Sequence, residues 1–140
     1  MFIAYASVYG NTKTAAEKLC ELLKANVCPK DVLTDLPRDD IAKTVEDAFR
    51  YNKLVLASTT YNSEVLPVMW NFILSITERN CQNRTVAFIE YGSWSSMAAK
   101  FMKQMLSASK NLTFVPDEVH IKSALDSEST AQLETMAKAL

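Results

Sequence analysis

A parallel α/β sheet with helices on both faces is the fold this sequence predicts, and three observations predict it. Short apolar runs alternate with segments of helical periodicity along the 140 residues. The runs and segments number five each and come in strand-then-helix order, which right-handed crossovers turn into a parallel sheet covered on both sides. Leu54 to Ala57 is apolar at every position, as expected of a strand buried on both faces.

Phe2 to Ala6 is the first strand. Ala15, Ala16, Leu19, Leu22 and Leu23 then recur at helical spacing. Val32 and Leu33 mark a short second strand, closed by Pro37. Asp39 and Asp40 are placed to cap a helix whose apolar face is Ile41, Val45, Ala48 and Phe49. After the third strand, Leu54 to Ala57, a helix is expected from about Glu64 to Glu78. Pro67 falls in its first turn, where the missing N–H costs nothing. Val65, Val68, Met69, Phe72, Ile73 and Ile76 wrap most of its circumference, so it should be well buried. Thr85 to Ile89 is the fourth strand. Trp94, Met97, Ala98, Phe101, Met102, Met105 and Leu106 form the next helix at i, i+3, i+4 spacing. A fifth strand from Leu112 to Ile121 is broken at Pro116. The last helix presents Leu133, Met136, Ala137 and Leu140, with Ser129 and Gln132 spaced as a capping box.

Composition narrows the function. Fifteen Lys and Arg against sixteen Asp and Glu leave a net charge of −1, which argues against nucleic acid or an anionic membrane as a partner. No apolar stretch approaches the roughly 20 residues that span a bilayer. The N-terminus lacks a basic region, an apolar region and a cleavage site in signal-peptide order. Cys20, Cys28 and Cys81 form no C-x-x-C pair and read as reduced thiols. One domain over residues 1–140, in the cytoplasm, is the expectation.

In open α/β sheets ligands sit beyond the carboxyl ends of the strands, so the loops after the first, third and fourth strands should carry function. The first is Ser7-Val8-Tyr9-Gly10-Asn11-Thr12. Gly10 permits a tight turn, Ser7, Asn11 and Thr12 are neutral donors, and a helix N-terminus follows: together, an anion site. Neither the Walker spacing nor G-x-G-x-x-G is present. A turn that merely caps the helix is the competing reading. The two glycines of the chain, Gly10 and Gly92, both fall in these loops. The second loop, Ser58 to Glu64, holds Thr59, Thr60, Tyr61 and Asn62. The third holds Glu90, Tyr91, Gly92, Ser93 and Trp94. Helix capping by Asn62 and Ser63, a core role for Tyr61, and Trp94 as the start of a helix face are the alternatives. Glu90 reads as an exposed carboxylate, and His120 is expected to lie far from any cluster of carboxylates. An anion cradle beside two aromatic, polar loops suits a flat ring with a polar rim.

At these residues the sequence resembles known proteins. Tyr5-Ala6-Ser7-Val8-Tyr9-Gly10-Asn11-Thr12 is similar to the flavodoxin phosphate loop. Ser58-Thr59-Thr60-Tyr61-Asn62 with Glu64 and Pro67, Ile89-Glu90-Tyr91-Gly92-Ser93-Trp94, and the tail Val119 to Leu125 resemble the C-terminal flavodoxin-like domain of flavodiiron proteins. The resemblance implies a flavodoxin-like five-stranded sheet of order 2-1-3-4-5 and FMN as cofactor. It implies that Ser7, Val8, Tyr9, Gly10, Asn11 and Thr12 hold the phosphate. Thr59, Thr60, Tyr61, Asn62, Tyr91, Gly92, Ser93 and Trp94 would surround the ring. The implied role is electron transfer to a redox partner protein or di-iron domain, and a homodimer is compatible with it. An FMN-dependent reductase acting on a nicotinamide or quinone is the alternative. A response-regulator receiver would need an Asp where Ser58 and Thr59 stand. With one histidine this chain lacks the ligands of a di-iron centre, so no oxygen or nitric oxide reduction is expected from it alone, and no metal-ligand set is assigned. It is either a fragment of such a protein or a stand-alone flavodoxin.

Overall fold

The computed structural model describes residues 1–7, 10–25, 32–61, 64–92, 97–116, 118–122 and 125–140, without the side chains of Val32, Tyr61 and Glu64. Its strands are β1 (Phe2–Ala6), β2 (Val32–Asp35), β3 (Lys53–Tyr61), β4 (Glu64–Val65), β5 (Arg84–Tyr91), β6 (Leu112–Phe114) and β7 (Val119–Ile121). The helices are α1 (Asn11–Ala25), α2 (Ile41–Arg50), α3 (Pro67–Glu78), α4 (Ala98–Leu106) and α5 (Ser127–Ala139). The strands lie in the order β2-β1-β3-β5-β6, and β7 also pairs with β5. The order 2-1-3-4-5 is therefore observed, with the predicted fifth strand split into β6 and β7. Both run parallel to β5, at Arg84↔Leu112 and at Ile89↔Val119. Pro116 lies between them, where a residue without an N–H cannot continue the ladder.

Side-chain alternation sorts each strand between two cores. Ile3, Tyr5, Val55, Ala57, Ala87 and Ile89 pack with Ala15, Ala16, Leu19 and Leu23 of α1 and Leu133 and Met136 of α5. Phe2, Ala4, Leu54, Leu56, Val86 and Phe88 pack with α2, α3 and α4. On that face the Phe2 and Phe72 rings stack with centroids 5.9 Å apart.

Local structure departs from the sequence reading in four places. The second loop is largely strand: β3 runs on to Tyr61, and Thr60 and Tyr61 pair antiparallel with Val65 and Glu64. Thr and Tyr favour extended backbone, so a polar run here does not mean a loop. Helix α3 accordingly starts at Pro67, not at Glu64. It is also less buried than its composition suggests: Trp70 and Leu74 are 45% and 39% exposed. Helix α4 starts at Ala98, not at Trp94, which lies outside the described residues. The capping box of α5 is Asp126 with Ser129, not Ser129 with Gln132. Asp126 Oδ1 accepts from the Ser129 N–H at 2.8 Å, and Ser129 Oγ accepts from the Asp126 N–H at 2.9 Å. The Ser129 N–H and hydroxyl, both donating to it, hold the Asp126 carboxyl below its usual range. Gln132 instead accepts the backbone N–H of His120 at 2.9 Å.

The partition of α3 sets one measurable contrast. Phe72→Ala should cost about 3–5 kcal/mol of unfolding free energy in a urea titration, the loss of a fully buried ring. Trp70→Ala should cost about 1 kcal/mol or less, because so much of its ring is already wet. The buried Tyr5 sets a second. Burial, aided by the neighbouring Asp35 carboxylate, pushes its phenol from 10.0 up to about 12. A raised phenol favours the neutral form in the folded state, so its contribution is intact below pH 10 and lost as the pH rises toward 12. Tyr5→Phe should flatten the alkaline limb of a stability-against-pH curve over that window.

Candidate functional site

The site is assembled where the chain turns opposite ways out of the sheet. β1 pairs with β2 on one side and β3 on the other, so the crevice at their carboxyl ends is the topological switch point of the sheet. Ala6, the last residue of β1, lies in register with Ser58 of β3 and through it with Glu90 of β5, and Thr59 lies beside Tyr91.

The first loop builds a donor-lined turn. Ser7 Oγ accepts the Gly10 N–H at 2.9 Å. Gly10 has φ +86°, a conformation that L side chains rarely adopt. A Cβ there would meet nothing within 4 Å among the described residues, so it is the backbone conformation that demands the glycine. The Gly10 carbonyl accepts from the Thr14 N–H and from Thr14 Oγ1, each at 2.9 Å, which starts α1. The N–H groups of Asn11, Thr12 and Lys13 are left without an intrahelical acceptor, and no acidic side chain stands in this first turn. Their dipoles favour a negative charge at this spot. Lys13 is exposed.

Thr12 ties the loops together. It is fully buried, and its Oγ1 lies 3.3 Å from Thr59 Oγ1 at the end of β3. The next residue, Thr60, has a buried Oγ1 with no hydrogen-bond partner among the described residues, a polar atom a bound group would satisfy. Tyr91 is half-buried beside Thr59, and the Gly92 N–H donates to the Ile121 carbonyl of β7 at 3.0 Å. The structure thus brings Ser7, Gly10, Asn11, Thr12, Thr59, Thr60, Tyr91 and Gly92 to one edge, with the backbone of Tyr61 there too. Val8, Tyr9, Asn62, Ser93 and Trp94 lie outside the described residues.

Two residues were misjudged from sequence. Glu90 is not an exposed carboxylate: it is 2% exposed, its Oε2 accepts the Ala99 N–H of α4 at 2.8 Å, and its Oε1 is bonded to His120 Nδ1. His120 is therefore not remote from carboxylates, since Glu90 and Glu118 both face it, with Glu118 Oε2 3.8 Å from its Nε2. The missed signal was alternation: Val86, Phe88 and Glu90 share one face of β5.

Comparison with known proteins agrees with this geometry. Residues 2–122 match the family model described as a flavodoxin domain. The chain is 27% identical to the flavo-diiron protein FprA2 of Clostridium acetobutylicum, over 87% of this chain and 33% of that protein. Its fold superposes on rubredoxin oxygen:oxidoreductase from the anaerobe Desulfovibrio gigas with a TM-score of 0.91 at 20% identity, covering 98% of this chain and 34% of that one. Oxidised flavodoxin 2 from Bacillus cereus gives 0.83 at 23% identity, covering 99% and 94%. The chain thus spans about one third of the length of the curated relative it matches. With a switch-point cradle, a 2-1-3-4-5 sheet and a family match along most of its length, the chain belongs to the flavodoxin domain family.

Proposed function

We propose that this chain is an FMN-binding electron-transfer module, the flavodoxin-like unit that passes electrons to a di-iron domain in a flavodiiron-type protein. The observation that carries the reading is the anion cradle at the switch point: Gly10 at φ +86°, with no described residue within 4 Å of a Cβ built there, and neutral donors from Ser7, Thr12 and the first turn of α1. A phosphate monoester fits a cradle of this kind, because helix-end N–H groups bind the anion without needing a cation.

Bound FMN would supply chemistry that no side chain offers, accepting and releasing electrons singly or in pairs. The chain's part is to hold and orient it. Ser7, Val8, Tyr9, Gly10, Asn11 and Thr12 are assigned to the phosphate. Thr59, Thr60, Tyr61 and Asn62 are assigned to one side of the ring, and Tyr91, Gly92, Ser93 and Trp94 to the other. The unpartnered Thr60 Oγ1 is assigned a bond to the polar rim. The Thr12–Thr59 contact couples the phosphate end to the ring end, so the two halves of the cofactor are read by one connected frame. Oxygen or nitric oxide reduction would belong to the partner domain. Among the described residues no helix is long and apolar enough to cross a membrane, and we place the protein in the cytoplasm as one domain.

Absorption spectroscopy after gel filtration with FMN tests the reading: one flavin per chain should co-elute, with FAD held far more weakly. NADH or NADPH alone should leave the flavin oxidised; rapid bleaching would instead indicate a reductase. Replacing Ser7 with Ala and Thr12 with Val should weaken FMN far more than riboflavin, and equal losses would show the cradle to be misassigned. Gly10→Ala should also cost roughly 1–2 kcal/mol of stability without ligand, the strain of a Cβ at positive φ.

A further inference from the structure

Glu90 starts a polar chain that crosses the edge of the sheet. It stands on β5 in register with Ser58 on one side and His120 on the other. Its side chain enters the core shared with α3 and α4, where a carboxylate is costly unless both oxygens are bonded. Both are. Oε2 takes the N–H of Ala99 across nine residues, and Oε1 takes His120 Nδ1. The His120 backbone N–H in turn donates to Gln132 of α5.

Helix α4 needs this carboxylate. Its N-cap is Met97, whose side chain makes no capping bond, and its first turn holds no acidic residue. Glu90 therefore serves as a remote cap: a buried negative charge at a helix N-terminus, supplied from the adjoining strand. The same residue is followed directly by Tyr91 and Gly92, so its backbone leads into the site while its side chain holds the helix that resumes after it. The charged groups around the pair are Glu118 of the β6–β7 connection, which faces His120 Nε2 at 3.8 Å, and Lys103 of α4, which is paired with Glu118.

Resting on the FMN reading above, we propose that Glu90, oriented by His120, is the positioning residue of the ring side of the site. It fixes the start of α4 against the strand end that carries Tyr91 and Gly92, and so acts on the flavin ring and not on the phosphate cradle.

Four variants test this: Glu90→Leu removes both bonds at similar volume, Glu90→Gln keeps an oxygen for Ala99, His120→Leu removes the orienting donor, and His120→Asn keeps one. Binding of FMN and of riboflavin, the visible circular dichroism of bound flavin, and amide exchange in the ligand-free protein are measured on each. Freeing the start of α4 from the strand end predicts at least about tenfold weaker binding for Glu90→Leu, by the same factor for FMN and riboflavin. Its visible dichroism should change, and exchange should quicken at Ala98 and Ala99 but not in the first turn of α1. Glu90→Gln should recover to within about threefold of wild type. His120→Leu should fall between, with His120→Asn restoring it. The histidine side chain is 47% exposed, so that pair folds even if Glu90→Leu does not.

Wild-type affinity, dichroism and exchange in Glu90→Leu, or in His120→Leu should the first not fold, would overturn the proposal. So would a loss confined to FMN. A wild-type protein that binds neither flavin would overturn the underlying reading instead. Changed exchange at Ala99 in Glu90→Leu would then still establish the remote cap.

Discussion

A parallel sheet has to be dry on both faces, and the rest of this structure follows from that requirement. The connections between parallel strands are helices, and each must return to one face or the other. Here α1 and α5 close one side and α2, α3 and α4 the other. Strand β3 lies at the centre, between β1 and β5, and is buried on both sides from Leu54 to Ser58. Its continuous apolar run is a result of that place in the sheet, and the alternate residues of β1 and β5 are divided between the same two cores.

Burial also explains where the site lies. Apolar side chains fill the strands up to their carboxyl ends, and there the sequence changes to Ser7, Ser58, Thr59 and Glu90. These groups sit at the limit of the core, so each needs a partner. Ser7 takes the Gly10 N–H, Thr12 reaches Thr59, and Glu90 takes Ala99 and His120. Thr60 is the exception, its buried hydroxyl unpartnered among the described residues. Among the described residues of this edge, the polar groups with partners are held in place by them.

Two ways of ending a helix appear along this edge. Helix α1 follows Gly10 at positive φ, and its first N–H groups have no intrahelical acceptor and no acidic side chain in the first turn. Helix α4 has its N-terminus taken by Glu90. The first arrangement leaves positive potential for an incoming anion, whereas the second neutralises it internally and spends it on structure. The difference is physical: one helix start carries no acidic side chain in its first turn, the other is capped by a carboxylate from the adjoining strand.

The periodicity of the chain was enough to identify the apolar cores of the strands and helices and their succession along the chain, because apolar spacing is a local property and burial on one or two faces imprints it directly. It also located Gly10, since a turn that needs positive φ selects glycine by itself. The contacts made between distant segments were beyond its reach. A polar run such as Ser58 to Tyr61 has the same composition as a loop or a strand, and only pairing with β5 and β4 made it strand. Trp70 and Leu74 repeat as apolar residues whether or not anything covers them, and the packing of α3 left them exposed. Glu90 and His120 lie thirty residues apart, and nothing local marks either as the other's partner. By itself the sequence determined the alternation of five strand regions with five helices and which loops leave the carboxyl ends of the strands. The tertiary structure alone decided which polar groups meet there, because hydrogen bonds between separate strands depend on register, and register exists only once the sheet has formed.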